Sequence, residues 1–451
     1  MRVVLITCPS YGVLHPPLSL ALLSASLKNQ GHEVVTLDLS IKLFNELPEE
    51  KREIYWDLDR AALWHDKGFA ESMVGEERIN EWVELLVGLK PDILGFSVYS
   101  TNLQVSLLLA QKLKIKNDRI KVIFGGPFCR RDNGVADSII NYSYVDIVVS
   151  GEGEITLQEI VASYEKYGKV EFCNGALIKL NNQAVYCGHR QPLDNLDSLP
   201  FADFSDFDFS MYKERLVPIL TSRGCLYNCA FCNEKSFWQV YRNRSAVNIF
   251  QEIKQIISKY AINTIRFNDL LLNGNLIELE KLCDMLIQDN TKIQWGGYIT
   301  VRKMNKSLIM KMRASGCYFI FAGIESGSQN ILNKFKKGVR LEEGEELLRL
   351  FAEAGISTHT GWIVGFPDES FSDFKQTIDF IRRNNRYIDR VAPASLLTIP
   401  PGSPICDHPD MFGVKRVIHA GDYTDNTTNL KLRQTRLEYF NKYIAYTAKE
   451  N

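Results

Sequence analysis

The stretch VPILTSRGCLYNCAFCN (residues 217–233) decides how this 451-residue chain is interpreted. A short apolar run, 217–222, is typical of a buried strand, and it leads directly into Cys225, Cys229 and Cys232. In a chain without secretory features, three cysteines this close together indicate a metal before a disulfide. Three thiolates can bind three corners of one iron–sulfur cube and leave the fourth iron open. A zinc site with a remote fourth ligand is the alternative.

Runs of strand length alternate with amphipathic runs of helix length from residue 217 to residue 400. The strands are predicted at 217–222, 263–269, 293–299, 317–326, 357–367 and 391–400. The helices between them are predicted at 246–260, 276–288, 306–316, 344–355 and 371–384. This pattern predicts an open, partial (β/α)6 barrel, whose site lies in the loops at the carboxyl ends of its strands.

The first 154 residues show a second alternation of the same kind. Strands are predicted at 2–6, 32–38, 91–100, 121–126 and 145–154, and helices at 18–31, 78–90 and 105–116. Continuous apolar strands between helices favour a parallel sheet that is covered on both faces. We therefore expect a doubly wound, Rossmann-like α/β domain, which binds ligands beyond the carboxyl ends of its strands.

Small or polar residues follow each of these N-terminal strands, where a ligand is expected. The candidates are Ser10, Ser97, Tyr99, Thr101, Gly125, Gly126, Gly151, Glu152 and Glu154. Glycine lets a flat ligand approach the backbone closely. Ordinary turn chemistry between strand and helix explains the same residues and is the alternative.

The patterns divide the chain into four parts. They are a Rossmann-like domain (1–154), a linker or strap (155–215), the partial barrel (216–405) and a small, helical C-terminal segment (406–451). The linker includes the acidic and aromatic run LPFADFSDFDFSMY (199–212).

Composition excludes several classes of protein. Hydrophobic residues make up 45% of the chain and charged residues 24%, which are ordinary values for a globular protein. The net charge of −1 provides no general attraction for nucleic acid. Since there is no apolar run of about 18 residues and no signal-peptide cleavage site, we expect a cytoplasmic protein without a transmembrane segment. The seven other cysteines are expected to be buried as small hydrophobic residues.

The motif CLYNCAFC, placed after a first barrel strand, resembles that of the radical S-adenosylmethionine (SAM) superfamily. More narrowly, residues 1–405 resemble the subgroup with an N-terminal cobalamin-binding domain. The motifs that carry this resemblance are PPLSLALLSASLKNQGHEV (16–34), GFSVYS (95–100), FGGP (124–127), SGEGE (150–154), YRNRSAVNIFQEI (241–253), GIESGS (323–328), GWIVGFPDES (361–370) and TIPPGSP (398–404). The cysteine motif is highly specific, whereas the others are weak singly but occur in the family's order.

The resemblance implies the chemistry of the barrel. Cys225, Cys229 and Cys232 would hold a [4Fe–4S] cluster whose open iron binds SAM. The reduced cluster splits SAM, and the resulting 5′-deoxyadenosyl radical takes hydrogen from an unactivated C–H bond. In such enzymes the cofactors carry the chemistry, and the protein orients and shields them.

The resemblance also implies which residues surround SAM. The positions that match the family are Phe231, Glu325, Ser326, Gly361, Ile363 and Gly365. Phe231 would lie near the adenine, Glu325 near a polar group of SAM, and the strand from Gly361 to Gly365 would pack on the adenine. At the rim, Asp269, Arg223 and Arg242 are further candidates, for which surface ion pairs are the alternative.

The predicted cobalamin-binding domain differs from the better known cobalamin domains in one motif. Cobalamin domains of the methionine synthase type have a D-x-H-x-x-G motif, whose histidine binds cobalt, and this chain lacks it. The matching loop is SYGVLHPPL (10–18), in which His15 has no Asp two residues before it. Many members of the subgroup bind cobalamin without a protein ligand, and Ser97 and Tyr99 would then line the lower face. A degenerate domain that serves only as a scaffold is the alternative.

The resemblance as a whole implies a cobalamin-dependent methyltransferase acting on an unactivated carbon, or less readily on phosphorus. A second SAM would remethylate the cobalamin. The substrate would be a small molecule, a lipid or a peptide, and a flavodoxin or ferredoxin would donate electrons. In the C-terminal segment, candidates for shaping the substrate cavity are Tyr423, Tyr439, Tyr443, Arg433 and Arg436. A helix that merely packs on the barrel is the alternative for them.

Three other functions stay open on the sequence alone. A cobalamin-using cyclase or rearrangement enzyme would show the same motifs without net methylation. Methylthio transfer to RNA or protein normally needs further N-terminal cysteines, and here that region offers only Cys8 and Cys129. A cobalamin or redox sensor would keep the cofactors without cleaving SAM.

Overall fold

The computed structural model describes residues 1–419 and 421–447, which form two compact units. The first unit comprises Met1–Leu193 and Asp197–Pro218. The second begins at Ile219 and includes the short piece Asp194–Leu196. Across the residues described, no helix combines the length and the apolar character that crossing a membrane requires.

The first unit is built on a seven-stranded sheet. Its strands are β1 (Arg2–Thr7), β2 (Glu33–Asp38), β3 (Ile93–Ser97), β4 (Lys121–Gly125), β5 (Ile147–Val149), β6 (Ala176–Leu180) and β7 (Gln183–Tyr186). Their order is β2-β1-β3-β4-β5-β6-β7, with β1 to β5 parallel and β6 and β7 antiparallel. The strand order reverses between β1 and β3, which is where doubly wound sheets place their ligands.

Helices pack along this sheet. They are α1 (Leu18–Lys28), α2 (Leu39–Glu46), α3 (Glu49–Tyr55), α4 (Lys67–Val74), α5 (Glu76–Gly88), α6 (Leu103–Lys116), α7 (Val135–Ile139) and α8 (Gly153–Tyr167). Three of them, α1, α5 and α6, lie where the sequence predicts helices. Helix α1 packs on α8, and α5 packs on α6. The doubly wound architecture is thus confirmed.

The segment 155–215, which the sequence predicts to be a linker, belongs structurally to the first unit, apart from Asp194–Leu196. Helix α8 covers the sheet, and β6 adds to the edge of β5 because its apolar side chains are buried there. The acidic run is also fastened to this unit, since Asp203 accepts a hydrogen bond from Lys28 at 2.7 Å and Asp206 accepts one from the amide of Thr36 at 2.9 Å. Along the chain the boundary between the units therefore falls near residue 218, and the four-part division stays a prediction.

The stretch between β2 and α5, where the sequence shows no clear periodicity, is a small helical insertion. It consists of α2, α3, a 3-10 helix (Leu58–His65) and α4. Trp64 lies at its centre, fully buried, with its ring 5.1 Å from that of Trp56 and 5.5 Å from that of Phe69. The indole donates a hydrogen bond to the carbonyl of Tyr55 at 2.8 Å. Aromatic packing thus organises a segment whose short helices lack a long amphipathic pattern.

The second unit is built on an eight-stranded sheet with two small hairpins. Its strands are β8 (Val217–Ile219), β9 (Ser222–Arg223), β10 (Arg242–Asn243), β11 (Thr264–Phe267), β12 (Gln294–Thr300), β13 (Cys317–Glu325), β14 (Ser357–Val364), β15 (Arg390–Val391), β16 (Ser395–Leu396), β17 (Arg416–His419), β18 (Asp422–Thr424) and β19 (Tyr446–Thr447). The order is β19-β15-β14-β13-β12-β11-β8, and β16 pairs with β14. From β11 to β16 the pairings are parallel, so these carboxyl ends share one edge.

Helices connect the strands of this sheet. They are α9 (Glu234–Trp238), α10 (Ala246–Tyr260), α11 (Leu276–Gln288), α12 (Lys306–Ala314), α13 (Gln329–Lys334), α14 (Leu341–Glu353), α15 (Phe371–Asn384), α16 (Pro404–Asp407) and α17 (Leu430–Tyr443). The sequence predicts all of them except the short helices α9, α13 and α16. The predicted bounds of α10, α11 and α15 match the structure. The sequence missed the hairpin of β17 and β18, and it missed β19, which pairs antiparallel with β15.

The buried indole of Trp64 provides a test of the helical insertion. We expect Trp64→Ala to lower the free energy of unfolding by about 3–5 kcal/mol, because it opens a large cavity and leaves the Tyr55 carbonyl without its donor. Urea unfolding followed by circular dichroism measures this change. The control is Ile115→Ala, whose side chain is 81% exposed and should change stability by less than about 0.5 kcal/mol. Equal effects of the two substitutions would contradict the packing described.

Candidate functional site

The three clustered cysteines lie on one loop between β9 and α9. Gly224 begins the loop with φ +78°, and a Cβ there would lie 2.5 Å from the carbonyl oxygen of Val240, so only glycine fits. Cys229 is buried and Cys225 and Cys232 are half-buried; all three are free thiols. Backbone hydrogen bonds brace the loop, since Phe335 accepts from the amide of Ala230 at 2.9 Å and the carbonyl of Ala230 accepts from Ile405 at 2.9 Å.

Asp269 fixes the chain immediately before this loop. The carboxylate is 2% exposed, and its Oδ1 accepts hydrogen bonds from the amide and hydroxyl of Thr221, both at 2.9 Å. The hydroxyl of Ser222 donates to the same oxygen at 2.7 Å, and the amide of Ser222 donates to it as well. The other oxygen, Oδ2, has no hydrogen-bond partner among the residues that the structure describes. Burial raises the pKa of Asp269 to about 6, although the hydrogen bonds from Thr221 and Ser222 act to lower it. The carboxylate predicted at the rim therefore anchors the strand that carries the cysteines.

A buried cation that sequence reasoning missed, Lys337, lies beside the loop. Its ammonium is 2.9 Å from Oε1 of Glu325 and 5.9 Å from the centre of the Phe231 ring. Burial disfavours the charged form, but Glu325 and the nearby thiols of Cys229 and Cys225 outweigh it and raise the pKa of Lys337. Its side chain is therefore a fixed positive charge at neutral pH.

Glu325 owes its direction to an irregular strand end. Strand β13 shifts register between Gly323 and Glu325, and Glu325 takes φ +71°, a left-handed conformation that few side chains adopt. The carboxylate, half-buried, reaches Lys337 from there. This ion pair joins the end of β13 to the segment after α13, next to the cysteines.

The donor set of the loop suits an iron–sulfur cluster. Burial raises the pKa of the Cys229 thiol to about 11, with Lys337 acting in the opposite direction, and burial also raises the pKa of Cys232. Binding of iron therefore has to release thiol protons, which is how thiolate sites form. Within the described part of the chain, no three His, Cys, Asp or Glu side chains converge closely enough to hold one metal ion. Lys337 would offset part of the negative charge that three thiolates bring.

The remaining barrel candidates differ in what their side chains do. Ile363 is half-buried near the end of β14, and Gly361, two residues earlier on the same strand, is buried. Ser326 is fully buried, and its hydroxyl faces that of Thr377 at 3.3 Å and accepts from the amide of Ser328 at 3.1 Å. Its hydroxyl therefore takes part in the turn after β13.

Arg223 and Arg242, predicted at the rim, are both buried on the hairpin of β9 and β10. The Arg223 guanidinium lies 5.5 Å from the centre of the Trp238 ring. Arg242 donates to the carbonyl oxygen of Trp238 at 3.3 Å. These contacts tie the hairpin to α9, which follows the cysteine loop.

In the first unit, the loops after β1 and β3 meet at the point where the strand order reverses. Thr101 donates a hydrogen bond to the carbonyl of Ser10 at 2.6 Å, and the hydroxyls of Ser97 and Ser19 are 3.2 Å apart. The half-buried ring of Tyr99 lies 4.8 Å from that of Tyr11. The structure thus brings four predicted candidates together and adds Tyr11, which sequence reasoning missed.

The helical insertion holds Tyr11 in place. The amide of Tyr11 donates to the hydroxyl of Ser40 at 2.8 Å, and the indole of Trp56 donates to the carbonyl of Tyr11 at 3.1 Å. Burial raises the pKa of the Tyr11 phenol, and the neighbouring Tyr99 adds to this effect. Both contacts give the tyrosine pair a fixed position at the end of the sheet.

The candidates after β4 and β5 lie at the same edge of the sheet. Gly125 ends β4, and Gly126, which follows it, packs against the backbone of Val98. Gly151 and Glu152 follow β5, Glu154 is buried in the first turn of α8, and Glu152 accepts a hydrogen bond from the amide of Leu193 at 3.1 Å. His15 is half-buried, and its Nδ1 lies 3.0 Å from the carbonyl oxygen of Pro16, an acceptor that favours the Nδ1–H tautomer.

The C-terminal candidates separate into two groups. Tyr439 and Tyr443 are exposed on α17, whereas Tyr423, Arg433 and Arg436 are buried within the second unit. For the buried residues, the structure shows the alternative of packing on the barrel. Six of the seven scattered cysteines are buried as expected, and Cys406 is half-buried.

Two family models match the chain. Residues 219–381 match the radical SAM superfamily, and residues 61–161 match the B12 binding domain. The first range contains the three cysteines, and the second contains β3, β4 and β5.

Curated relatives and solved structures extend these matches. An uncharacterized methyltransferase of Pyrococcus horikoshii is 24% identical over 84% of this chain and 83% of its own length. The anaerobic magnesium-protoporphyrin IX monomethyl ester cyclase of Cereibacter sphaeroides is 23% identical over 70% of this chain and 53% of its own. The cobalamin-dependent SAM radical enzyme OxsB superposes with a TM-score of 0.73 at 17% identity, over 97% of this chain and 65% of that one. The radical SAM methyltransferase TsrM of Kitasatospora setae gives 0.65 at 18%, over 90% and 74%.

The cysteine loop at the carboxyl edge of the partial barrel and the matching family model define a radical SAM enzyme. Its cofactors are a [4Fe–4S] cluster and SAM. The chain joins this radical SAM domain to a B12-binding domain, and cobalamin is its third cofactor. Fold class, family and cofactors are thereby confirmed, whereas the roles of single residues stay predictions. The chain spans less than two thirds of the OxsB chain and about half of the cyclase.

The raised pKa of Asp269 predicts a pH dependence of stability in the protein without its cluster. Between about pH 4 and pH 6, the unfolded chain loses this proton while the folded chain keeps it. The free energy of unfolding should therefore fall as the pH rises through this window, by about 3 kcal/mol for this group. Asp269→Asn keeps an acceptor for Thr221 and Ser222 but cannot titrate. In urea unfolding, its free energy of unfolding should therefore depend less on pH between about pH 4 and pH 6 than that of the wild type. An unchanged slope in the variant would show that Asp269 ionises normally.

Proposed function

We propose that this chain is a cobalamin-dependent radical SAM methyltransferase that methylates an unactivated carbon of a small molecule. The observation that carries the proposal is the cysteine loop, which a buried lysine–glutamate pair accompanies at the carboxyl edge of the barrel. The methyltransferase from Pyrococcus horikoshii, similar over most of both chains, supports the methylation outcome.

The barrel residues have separate parts in this proposal. Cys225, Cys229 and Cys232 hold the cluster. The bound cofactors supply the electron and the radical that abstracts a hydrogen atom from a C–H bond. Glu325 and Lys337 form the polar wall of the SAM site, because their charges suit the amino and carboxyl groups of an amino acid. Phe231 and β14 provide the apolar wall for the adenine.

Asp269 acts as a positioning residue in the same proposal. It binds the Thr221–Ser222 segment and so fixes where the loop leaves the sheet. A loop held in this way presents its thiols with little loss of entropy when the cluster forms. The predicted contact of Asp269 with SAM is not needed for this part.

Cobalamin binds, in this proposal, at the carboxyl edge of the first unit's sheet. The tyrosine pair Tyr11–Tyr99, with Ser97 and Thr101 beside it, offers a fixed, neutral surface for the lower face of the corrin ring. These residues would hold the corrin ring through surface contacts. When bound there, cobalamin would provide the methyl group, a second SAM would be the source that renews it, and a flavodoxin or ferredoxin-type protein would supply the electrons.

A cobalamin-using cyclase is the second candidate function. The similarity to the magnesium-protoporphyrin IX monomethyl ester cyclase favours it, because the match covers 70% of this chain. The two functions differ in their product. A methyltransferase adds one methyl group per turnover and converts a second SAM to S-adenosylhomocysteine, whereas a cyclase forms 5′-deoxyadenosine without methyl transfer.

Metal counting on anaerobically purified protein with added cobalamin tests both cofactor sites at once. We expect about four irons and one cobalt per chain. Absence of iron from well-folded protein would overturn the assignment of the cysteines. Iron without cobalt would keep radical SAM chemistry and would remove methyl transfer through cobalamin.

The cysteine loop is tested by the Cys225→Ala/Cys229→Ala/Cys232→Ala variant. We expect it to lose the cluster and all reductive cleavage of SAM, because no other three cysteines of the chain lie this close in sequence. Iron analysis and chromatography of 5′-deoxyadenosine measure both losses. The control is Cys406→Ala, which removes a half-buried thiol outside the loop and should keep both properties. Cleavage that survives the triple substitution would contradict the proposal.

A further inference from the structure

Strand β14 ends in a turn, residues 365–369, that the C-terminal part of the chain covers. Gly365 takes φ +82°, and a Cβ there would lie 2.8 Å from Cδ of Arg433. Only glycine can therefore occupy this position while the arginine lies against it. The turn follows the strand on which SAM is proposed to pack.

Arg436 on α17 holds this turn by two contacts. Its Nη1 donates to the carbonyl oxygen of Glu369 at 2.8 Å and to Oε2 of the same residue at 3.1 Å. Oε2 in turn accepts a hydrogen bond from the amide of Gly365 at 3.2 Å. A continuous path of polar contacts thus runs from α17 through Glu369 to the end of β14.

Arg433, one helical turn earlier, holds the same turn from a second side. Its guanidinium lies 3.8 Å from the centre of the Tyr423 ring and donates to the carbonyl of Tyr423 at 2.6 Å. A further contact with the carboxylate of Asp425 is 3.4 Å long. The hydroxyl of Tyr423 donates to the carbonyl oxygen of Gly365. Both backbone groups of Gly365 are therefore held by partners that the C-terminal residues orient.

The burial of these groups indicates a positioning role rather than general packing. Arg433 is 1% exposed, Arg436 is 7% exposed and Glu369 is 1% exposed. Burying charges costs free energy that apolar side chains of similar size would avoid. Apolar packing already joins α17 to β14, since the Phe440 ring lies 6.4 Å from that of Trp362. The arginines add what apolar contacts lack, which is a fixed direction for backbone amides and carbonyls.

We propose that Arg433 and Arg436 form a clamp which fixes the Gly365–Glu369 turn, and that SAM affinity depends on this clamp. The clamp acts through β14, so both arginines are positioning residues that do not touch SAM. The inference rests on the proposed function, because it takes β14 to be the strand that packs on the adenine.

The test compares SAM binding in full-length protein whose cluster has been reconstituted anaerobically. We expect Arg436→Met to raise the Kd for SAM by about tenfold or more, because a displaced turn misaligns the strand end. Iron content should not change. Glu369→Gln keeps an acceptor for Gly365 and Arg436 and should bind SAM nearly as wild type does. Lys431→Met removes an exposed charge from the same helix and serves as the control.

A second readout needs neither cluster nor SAM. Hydrogen exchange of the peptide that covers residues 361–369 should be at least about tenfold faster in Arg436→Met, because the Gly365 amide loses its oriented acceptor. Exchange in the helices α10 and α11 should stay at the wild-type rate. A merely structural role would speed up exchange throughout the unit.

Each outcome separates the clamp from the proposed function. If wild-type protein with its cluster fails to bind SAM, the proposed function fails. If wild type binds SAM and Arg436→Met binds it equally well with unchanged exchange, the clamp proposal is overturned. Should Arg436→Met fail to fold, Glu369→Gln/Arg436→Met replaces it, because that variant leaves no buried charge unpaired. It should show the same weaker SAM binding, and wild-type affinity in it would equally overturn the proposal.

Discussion

The hydrogen bonds that Asp269 makes with Thr221 and Ser222 are the constraint on which the catalytic half of the molecule depends. They fasten the end of the first barrel strand to the second, two residues before the cysteine loop begins. A loop that carries three metal ligands lacks the regular backbone hydrogen bonds of a helix or a strand, so its geometry depends on where its ends are held. Gly224 and the backbone bonds of Ala230 set the remaining path. The position of the thiols thus follows from ordinary strand pairing and one buried carboxylate.

Buried charges are concentrated where the second unit needs direction rather than bulk. The pair Lys337–Glu325 lies beside the cysteines, and the pair Arg436–Glu369 lies beneath the end of β14. Such pairs contribute little net stability, but loss of one partner leaves a charge without compensation and costs about 3–5 kcal/mol. Burial raises the pKa of Glu369 to about 7, with a smaller contribution from Asp373, even though Arg436 opposes the rise. The main effect of both pairs is therefore to fix the geometry at strand ends, with little net contribution to stability.

Local pattern predicted the fold far better than it predicted the site. The bounds of α10, α11 and α15 follow from strong apolar periodicity and from side-chain caps at Ser245 and Ser370. The short helices between β2 and α5 carry no such signal, since aromatic contacts with Trp64 hold them together. Strand β19 has two residues and exists only through its pairing with β15. Elements that depend on distant partners are those that a sequence pattern cannot indicate.

The same distinction applies within the site. The cysteines follow from their spacing, whereas Lys337 and Tyr11 become candidates only through the neighbours that folding gives them. Lys337 lies twelve residues after Glu325 in the sequence. No helical or strand periodicity connects the two residues, so the sequence pattern does not indicate that they form an ion pair. Asp269 shows the opposite case, because its position at a strand end suggested a ligand contact and its Oδ1 faces the chain's own backbone.

The order of the elements along the chain has a consequence for biosynthesis. Helix α17 and strand β19 come after every strand of the barrel, yet they hold the turn at the end of β14 and pair with β15. A ribosome makes about 5–20 residues each second, so the earlier strands emerge seconds before these last elements do. Throughout that interval the nascent barrel has an unpaired edge and an unbraced turn. The turn after β14 can therefore reach its final geometry only after α17 has been synthesised and has packed against it.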